Sequence, residues 1–154
     1  MKQENSRLAI KQIDKKISSI QAFETLHFQK EGWIRTLRNI LNMSMEQLGR
    51  KMSITAQGVK KMEGREQERG ITLKSLDDVA KAMDMKLVYG FIPIDGSLEQ
   101  LIERKAKEMA TRIIMRTSNT MKLENQQNSN EYQKAAIEEL ADELKRTIPG
   151  KLWD

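Results

Sequence analysis

The chain has 154 residues, of which 38% are hydrophobic and 32% are charged, and it contains no cysteine. This length fits one domain, or a small domain with extensions, and the missing cysteine excludes disulfides and thiolate chemistry. The net charge of +5 favours an anionic partner, with nucleic acid ahead of a membrane surface, although a basic solvated surface has the same charge.

The composition and the start of the chain indicate the fold class and the compartment. Only 2 prolines occur, while lysine, glutamate, leucine, isoleucine and methionine are common, which favours a mainly α fold. The first residues are polar, and no apolar run approaches the roughly 18 residues of a membrane span. We therefore expect a soluble, cytoplasmic protein that does not interact with a membrane.

The first predicted element is an N-terminal amphipathic helix within residues 1–31, where the pattern ends at Gly32. Its isoleucines recur at spacings of three and four and form one narrow apolar stripe. They are Ile10, Ile13, Ile17 and Ile20. Such a stripe faces either the body of its own chain or a second copy, so these residues are candidate dimer contacts.

Residues 33–83 are predicted to form four short helices, each defined by apolar residues at helical spacing. They span residues 33–41, 44–52, 55–63 and 73–83. Ser44 and Gln47 make a capping box at the start of the second of these helices. Thr55 caps the third, and a charged loop at residues 64–70 precedes the last. With the N-terminal helix, we expect a five-helix core.

At Lys86–Pro93 the hydrophobic pattern no longer has the period of a helix. This segment is short, β-branched and aromatic, and it predicts one strand that completes a domain at residues 32–94. A lone strand needs a partner strand, which a second copy of the chain can supply by symmetry. Leu87, Tyr89 and Phe91 are therefore candidate dimer or partner contacts.

Residues 95–154 are predicted to be a C-terminal helical extension. Ser97 caps a long helix, a polar linker follows at residues 125–130, and the last helix ends before Pro149. Trp153 is apolar for a chain end, and it either ties the end to the body of the protein or anchors a partner.

The corner between residues 44–52 and 55–63 is the most informative part of the sequence. Two short helices meet there at Ser53 and Ile54, and Gly49 is small where they approach each other. Leu48, Ile54, Val59 and Met62 can lock the two helices together. The opposite side of the second helix then stays exposed, which suits DNA binding. An ordinary helical corner with a solvated polar face has the same pattern.

The exposed side of that second helix holds the candidate base contacts. They are Thr55, Ala56, Gln57, Lys60 and Lys61. Glutamine can make paired hydrogen bonds to adenine, alanine can pack on a thymine methyl group, and lysine can reach guanine or phosphate. Ser44 lies at a helix N-terminus, which attracts phosphate. Arg65 and Arg69 flank the next loop and are candidates to hold the DNA backbone.

Residues 33–85 resemble the phage-repressor type of helix-turn-helix, the Xre/Cro-like family. The matching motifs are Leu37-Arg38, Ser44 to Gly49, Thr55 to Glu63, and Leu76 to Met83. The resemblance implies sequence-specific binding to double-stranded DNA by a homodimer. It also implies phosphate contact at Ser44, base contact at Ala56, Gln57 and Lys61, and a buried ion pair between Arg38 and Glu63. The sequence departs from the family at Ser53, where glycine is usual, and at Gly58, which weakens a helix.

The whole chain also resembles a narrower group, called mobile mystery protein A. The similarity lies in the N-terminal helix, the Lys86–Pro93 segment, residues 121–126 and residues 152–154. This group is typically encoded beside a Fic-domain protein. The resemblance therefore implies either a regulator of its own operon or an antitoxin that inhibits a Fic-domain partner.

No catalytic set, metal site or cofactor site is expected. The chain has one histidine, His27, and no cysteine, so a metal site within one chain lacks ligands. No nucleophile motif or glycine-rich phosphate loop occurs. Four acidic residues of the last helix are interpreted as its solvated face. They are Glu138, Glu139, Asp142 and Glu143.

Overall fold

The computed structural model of the chain describes residues 2–25, 31–123 and 130–154, and it confirms a mainly helical fold. The helices are α1 (Lys2–Ile20), α2 (Trp33–Ile40), α3 (Met45–Met52), α4 (Ala56–Gln67), α5 (Leu73–Ala82), α6 (Leu98–Leu123) and α7 (Asn130–Thr147). Short 3-10 helices span Gln21–Thr25 and Gly150–Trp153. His27 and residues 125–129 of the predicted polar linker lie outside the described residues.

The described residues form two compact units, each with its own core. The first, here called the four-helix unit, runs from Phe23 to Gly90 and contains α2 to α5. The second, here called the terminal unit, combines α1 with α6 and α7. The sequence divides the chain differently, into residues 1–31, 32–94 and 95–154, because nothing local in α1 indicates that it packs with helices some 90 residues later.

The core of the four-helix unit takes at least one side chain from each of its helices. The buried residues are Ile34, Leu48, Val59, Val79 and Met83. Five further methionines pack against them, namely Met43, Met45, Met52, Met62 and Met85. Methionine is flexible and polarisable, so it can fill irregular spaces between four short helices.

Hydroxyl caps start three of these helices. The Ser44 hydroxyl accepts the Gln47 N–H at 3.1 Å, and the Gln47 side-chain oxygen accepts the Ser44 N–H at 2.7 Å, so the predicted capping box is confirmed. The Thr55 hydroxyl accepts the Gly58 N–H at 3.1 Å, as the sequence predicts. Thr72 caps α5 in the same way.

The corner between α3 and α4 depends on two backbone features. Ser53 has φ 56° and ψ 37°, the left-handed conformation in which glycine is usual. Gly49 lies where a side chain is excluded, because a Cβ there would be 2.7 Å from the Ile54 carbonyl oxygen. The chain thus keeps a small residue where the two helices touch and tolerates strain at Ser53.

Two predicted features of this unit differ from the structure. The sequence predicts a charged loop from Gly64, but α4 continues to Gln67, and only Glu68 to Gly70 lie outside the helix. The five-helix core is not confirmed, because the described part of this unit contains four helices and α1 belongs to the terminal unit.

The predicted strand at Lys86–Pro93 is not formed. Residues 85–93 have neither helical nor strand hydrogen bonding within the described parts of the chain. The physical reason is that a strand exists only through a partner strand, and the described residues include no other strand.

The terminal unit is built around the contact between α6 and α7. The buried residues of its core cluster are Ile102, Ala106, Ala110, Ala141, Leu144 and Leu152. Alanine on both helices allows close approach. The isoleucine stripe of α1 faces this unit in part, since Ile17 is buried and Ile10 packs on the core, while Ile13 is exposed. The Asp14 carboxylate also caps α6 by accepting the N–H groups of Leu98 at 2.7 Å and Glu99 at 3.2 Å.

We predict that Ser53→Gly stabilises the four-helix unit by about 0.5–1 kcal/mol. Glycine avoids the cost of the left-handed conformation, which is about 1–2 kcal/mol for an L-residue. Glycine also loses more backbone entropy on folding, which takes back about 0.5–1 kcal/mol of that gain. Urea denaturation followed by circular dichroism measures the change. Arg50→Gly, at an exposed helical position on the same helix, is the matched control and is expected to destabilise by about 1 kcal/mol. Destabilisation by Ser53→Gly contradicts the prediction.

Candidate nucleic-acid interface

The outer face of α4 displays polar and basic side chains in a helical stripe. Gln57, Lys61 and Arg65 follow one another at intervals of four, so they lie along one line of the helix, and all three are exposed. Lys60 is exposed beside them. The opposite side contains Val59 and Glu63, which are buried. The helix therefore has one face fixed in the core and one face turned to solvent.

The buried face of α4 is held by an ion pair. Arg38 of α2 donates from Nε to Glu63 Oε1 at 2.8 Å, and the two residues are 8% and 5% exposed. Arg38 also donates from Nη1 to the Met43 carbonyl at 3.0 Å, in the turn before α3. One guanidinium thus joins α2, α4 and the α2–α3 turn. These are the two residues that the family resemblance pairs.

A second carboxylate of α4 caps α2, which the sequence did not predict. Glu66 accepts the N–H of Trp33 at 2.8 Å and that of Ile34 at 2.9 Å. Gly32 precedes α2 and has no side chain to cap it. A signal was present, since a helix that begins after glycine needs a partner from elsewhere and Glu66 is three residues beyond Glu63, on the same face.

The remaining predicted base contacts are placed differently from Gln57 and the lysines. Thr55 is exposed, but its hydroxyl is engaged in the cap of α4. Ala56 is half-buried at the first position of the helix. Gly58 lies inside α4, which is continuous through that residue.

The predicted phosphate contacts lie near the two ends of the helix pair. Ser44 is exposed at the start of α3, with its capping box formed and Glu46 in the first turn. Arg65 is exposed on the last turn of α4, and Arg69 is exposed in the turn that follows, with φ 56°. The structure thus places basic side chains at the C-terminal end of α4 and a helix N-terminus before it.

The basic side chains of α4 are not neutralised by neighbours. Within the described part of the chain, Lys60, Lys61 and Arg65 form no ion pair with a carboxylate. Lys81 of α5 is a contrast, because Asp77 lies four residues before it and the hydrogen bond to that carboxylate raises the pKa of Lys81. The outer face of α4 is therefore a patch of uncompensated positive charge.

Gly64 lies one turn after Lys60, on the same side of α4. A Cβ at this position would meet no atom within 4 Å. A glycine inside a helix costs about 1 kcal/mol relative to alanine, and packing does not require it here. The bare backbone at Gly64 leaves a shallow space between the longer side chains.

The candidate dimer and partner contacts fall into two groups. Ile17 is buried in the terminal unit, Ile10 and Ile20 are half-buried, and Ile13 is exposed. Leu87 is half-buried, whereas Tyr89 and Phe91 are exposed in a segment without regular structure.

Other kinds of site find no support in the geometry. Among the described residues, no three His, Cys, Asp or Glu side chains are grouped so that they could hold a metal ion. No helix in the described ranges has the length and apolar character needed to cross a membrane. The four acidic residues of α7, residues 138, 139, 142 and 143, are all exposed. Comparison of the chain with protein-family models, curated proteins and solved structures gives no match.

We predict that Arg38→Met destabilises the four-helix unit by about 3–5 kcal/mol, because it leaves the Glu63 carboxylate buried without its cation. Chemical denaturation measures this loss. The matched control is Arg35→Met, on the same helix and 4.0 Å from the same carboxylate, with a side chain that is 44% exposed. It is expected to cost at most about 1 kcal/mol.

The double variant Arg38→Met with Glu63→Leu removes both charges together. We expect it to recover most of the stability that the single variant loses, because no isolated charge remains buried. If Arg38→Met costs no more than Arg35→Met, the pair does not hold α4 in place.

Proposed function

We propose that the chain is a sequence-specific regulator of transcription that binds double-stranded DNA, with α4 as its recognition helix. The observation that supports this most directly is the outer face of α4. It presents Gln57, Lys61 and Arg65 in one line, and within the described residues neither Lys61 nor Arg65 forms an ion pair with a carboxylate. The other face of the helix is fixed by a buried ion pair. The chain's resemblance to repressors of the Xre/Cro-like family agrees with this proposal.

The dimensions and chemistry of the major groove suit this face. The groove is about 12 Å wide and admits an α-helix, and each base pair presents a distinct pattern of donors and acceptors there. Gln57 lies near the N-terminal end of α4, and its amide can donate to and accept from one adenine. Lys60 and Lys61, one turn later, reach guanine or the flanking phosphates. Gln57 would then select sequence while the lysines add affinity.

Phosphate contacts would come from both sides of the groove. The start of α3 offers backbone N–H groups at Met45 and Glu46, since the capping box already engages those of Ser44 and Gln47. The carboxylate of Glu46 means that contact there depends on these amides rather than on side-chain charge. Arg65 and Arg69 supply positive charge at the other end of α4.

A single recognition helix covers only part of an operator. Two copies related by a twofold axis would set two α4 helices about 34 Å apart, one turn of DNA, and would bind a palindromic site. A homodimer that binds upstream of its own gene would regulate its own operon. The dimer is therefore part of the proposal.

A second candidate function is an antitoxin that binds a Fic-domain protein. The observation that favours it is the terminal unit, which has its own core and holds none of the residues proposed to contact DNA. DNA binding by the four-helix unit does not need a second unit, whereas binding to a partner protein needs a separate surface. In this unit the side chain of Trp153 is half-exposed although the neighbouring Leu152 is buried.

We predict that Gln57→Ala weakens binding to the chain's own upstream DNA by about 1–3 kcal/mol and relaxes selection at one base pair. Lys61→Ala is expected to weaken binding and to lower the slope of affinity against salt by about 1. Gel shifts over a salt series measure both effects. The control is Lys134→Ala, an exposed lysine of α7, which is expected to change neither. A chain that shows no salt-dependent shift overturns the proposal.

For the second candidate, we predict that a Fic-domain protein encoded beside this chain co-purifies with it on co-expression. Trp153→Ala is expected to lower the recovery, while Gln57→Ala leaves it unchanged, because the two residues lie in different units. Equal loss with both variants, or no co-purification, counts against an antitoxin role.

A further inference from the structure

Residues 86–92, here called the linking segment, join the two units. In the described part of the chain, none of their backbone N–H or C=O groups is hydrogen-bonded to another backbone group. Backbone pairing stops at Met85, whose N–H donates to Ala80, and resumes with the N–H of Gly96 donating to Pro93. A run of backbone groups without partners resembles the edge of a sheet.

Three apolar side chains of this segment are exposed. Val88 is 73% exposed, Tyr89 is 68% exposed and Phe91 is 89% exposed. No charged residue occurs between Leu87 and Ile94, and most of the residues favour β structure. An exposed apolar segment with unpaired backbone groups is a template for pairing with another strand.

We propose that the linking segment pairs with the same segment of a second copy, antiparallel and with Gly90 on the twofold axis. The pair forms a two-stranded sheet between the copies. This pairing would be the surface that joins the two DNA-binding copies. It rests on the proposed function, because binding a palindromic DNA site is what requires a twofold axis.

The sequence of the segment is self-complementary in this register. In two antiparallel strands related by a twofold axis, a residue a given number of positions before the central residue lies opposite the residue the same number of positions after it. With Gly90 at the centre, Tyr89 faces Phe91 of the second copy, and Val88 faces Ile92. Aromatic pairs and β-branched pairs are favourable across strands. Lys86 faces Ile94, so the two Lys86 side chains do not lie opposite each other.

The alternative dimer surface suggested by the sequence is largely occupied. Ile17 is 7% exposed, and Ile10 packs on the core of the terminal unit, so the isoleucine stripe of α1 faces its own chain. Within the described residues, Val88, Tyr89 and Phe91 of the linking segment are exposed instead. A two-stranded sheet is marginal by itself, so we expect a dimer that dissociates on dilution.

The chain contains no cysteine, so single cysteines report the pairing without background. Gly90→Cys is expected to form an intermolecular disulfide under mild oxidation, because opposed residues on the axis have Cα atoms about 4.5–5.5 Å apart. Val88→Cys is the matched control on the same face of the strand. Its two copies would be offset by four residues, about 13 Å, which is too far for a disulfide.

A parallel arrangement would cross-link Val88→Cys as readily as Gly90→Cys. Pairing with a different protein, or no pairing, would cross-link neither. Either result overturns the proposal. Thr111→Cys, at an exposed position on α6, gives the rate of random collision between copies.

Proline substitution tests the backbone pairing in the uncross-linked protein. Neighbouring residues of a strand direct their N–H groups to opposite edges, so Val88→Pro and Tyr89→Pro remove donors from different edges. We expect one of them to abolish the dimer in sedimentation velocity over a concentration series and the other to preserve it. The helical circular dichroism signal is expected to stay unchanged in both. A dimer that survives both substitutions, or a wild-type chain that is monomeric at every concentration, contradicts the proposal.

Failure of this inference and failure of the proposed function are distinguishable. A chain that shifts its upstream DNA in a salt-dependent manner but never cross-links at Gly90 retains the DNA-binding role and loses this dimer. A chain that cross-links at Gly90 but binds no DNA retains the dimer and loses the regulatory role.

Discussion

The buried ion pair between Arg38 and Glu63 is the constraint on which the arrangement of the four-helix unit depends. Leaving a buried carboxylate without its cation costs about 3–5 kcal/mol, so a rotation of α4 that separates Glu63 from Arg38 is disfavoured. The same guanidinium holds the Met43 carbonyl and so fixes the turn that leads into α3. Fixing the inner face of α4 also fixes which residues face outward, and these are Gln57 and Lys61.

The positions of the acidic residues explain why the outer face of α4 is basic. Both carboxylates of this helix, Glu63 and Glu66, point to α2, where one binds Arg38 and the other caps the helix N-terminus. The acidic charge that would otherwise offset the lysines is used inside the unit. Within the twelve residues of α4, the carboxylates therefore lie on the inner face and the basic side chains on the outer face.

Local signals in the sequence predicted much of this, and non-local contacts account for what they missed. Ser44 and Thr55 predict where helices begin, because a capping side chain bonds to a backbone group only three residues away. The apolar spacing predicted Leu48 and Val59 as core residues. The cap from Glu66 to α2 spans more than thirty residues, and it was not predicted. The packing of α1 with α6 was missed for the same reason, because Asp14 and Leu98, which form a hydrogen bond, are far apart in the sequence. The base and phosphate contacts remain predictions, since they concern a ligand.

If the chain is a DNA-binding regulator as proposed, α4 and the start of α3 contact DNA and the terminal unit does not. Amide chemical-shift mapping during titration with a duplex from the chain's own upstream region tests it directly. We expect the largest changes at residues 44–46 and 55–65, with small changes in α6 and α7. Changes concentrated in α6 and α7, or no changes at low salt, would contradict it.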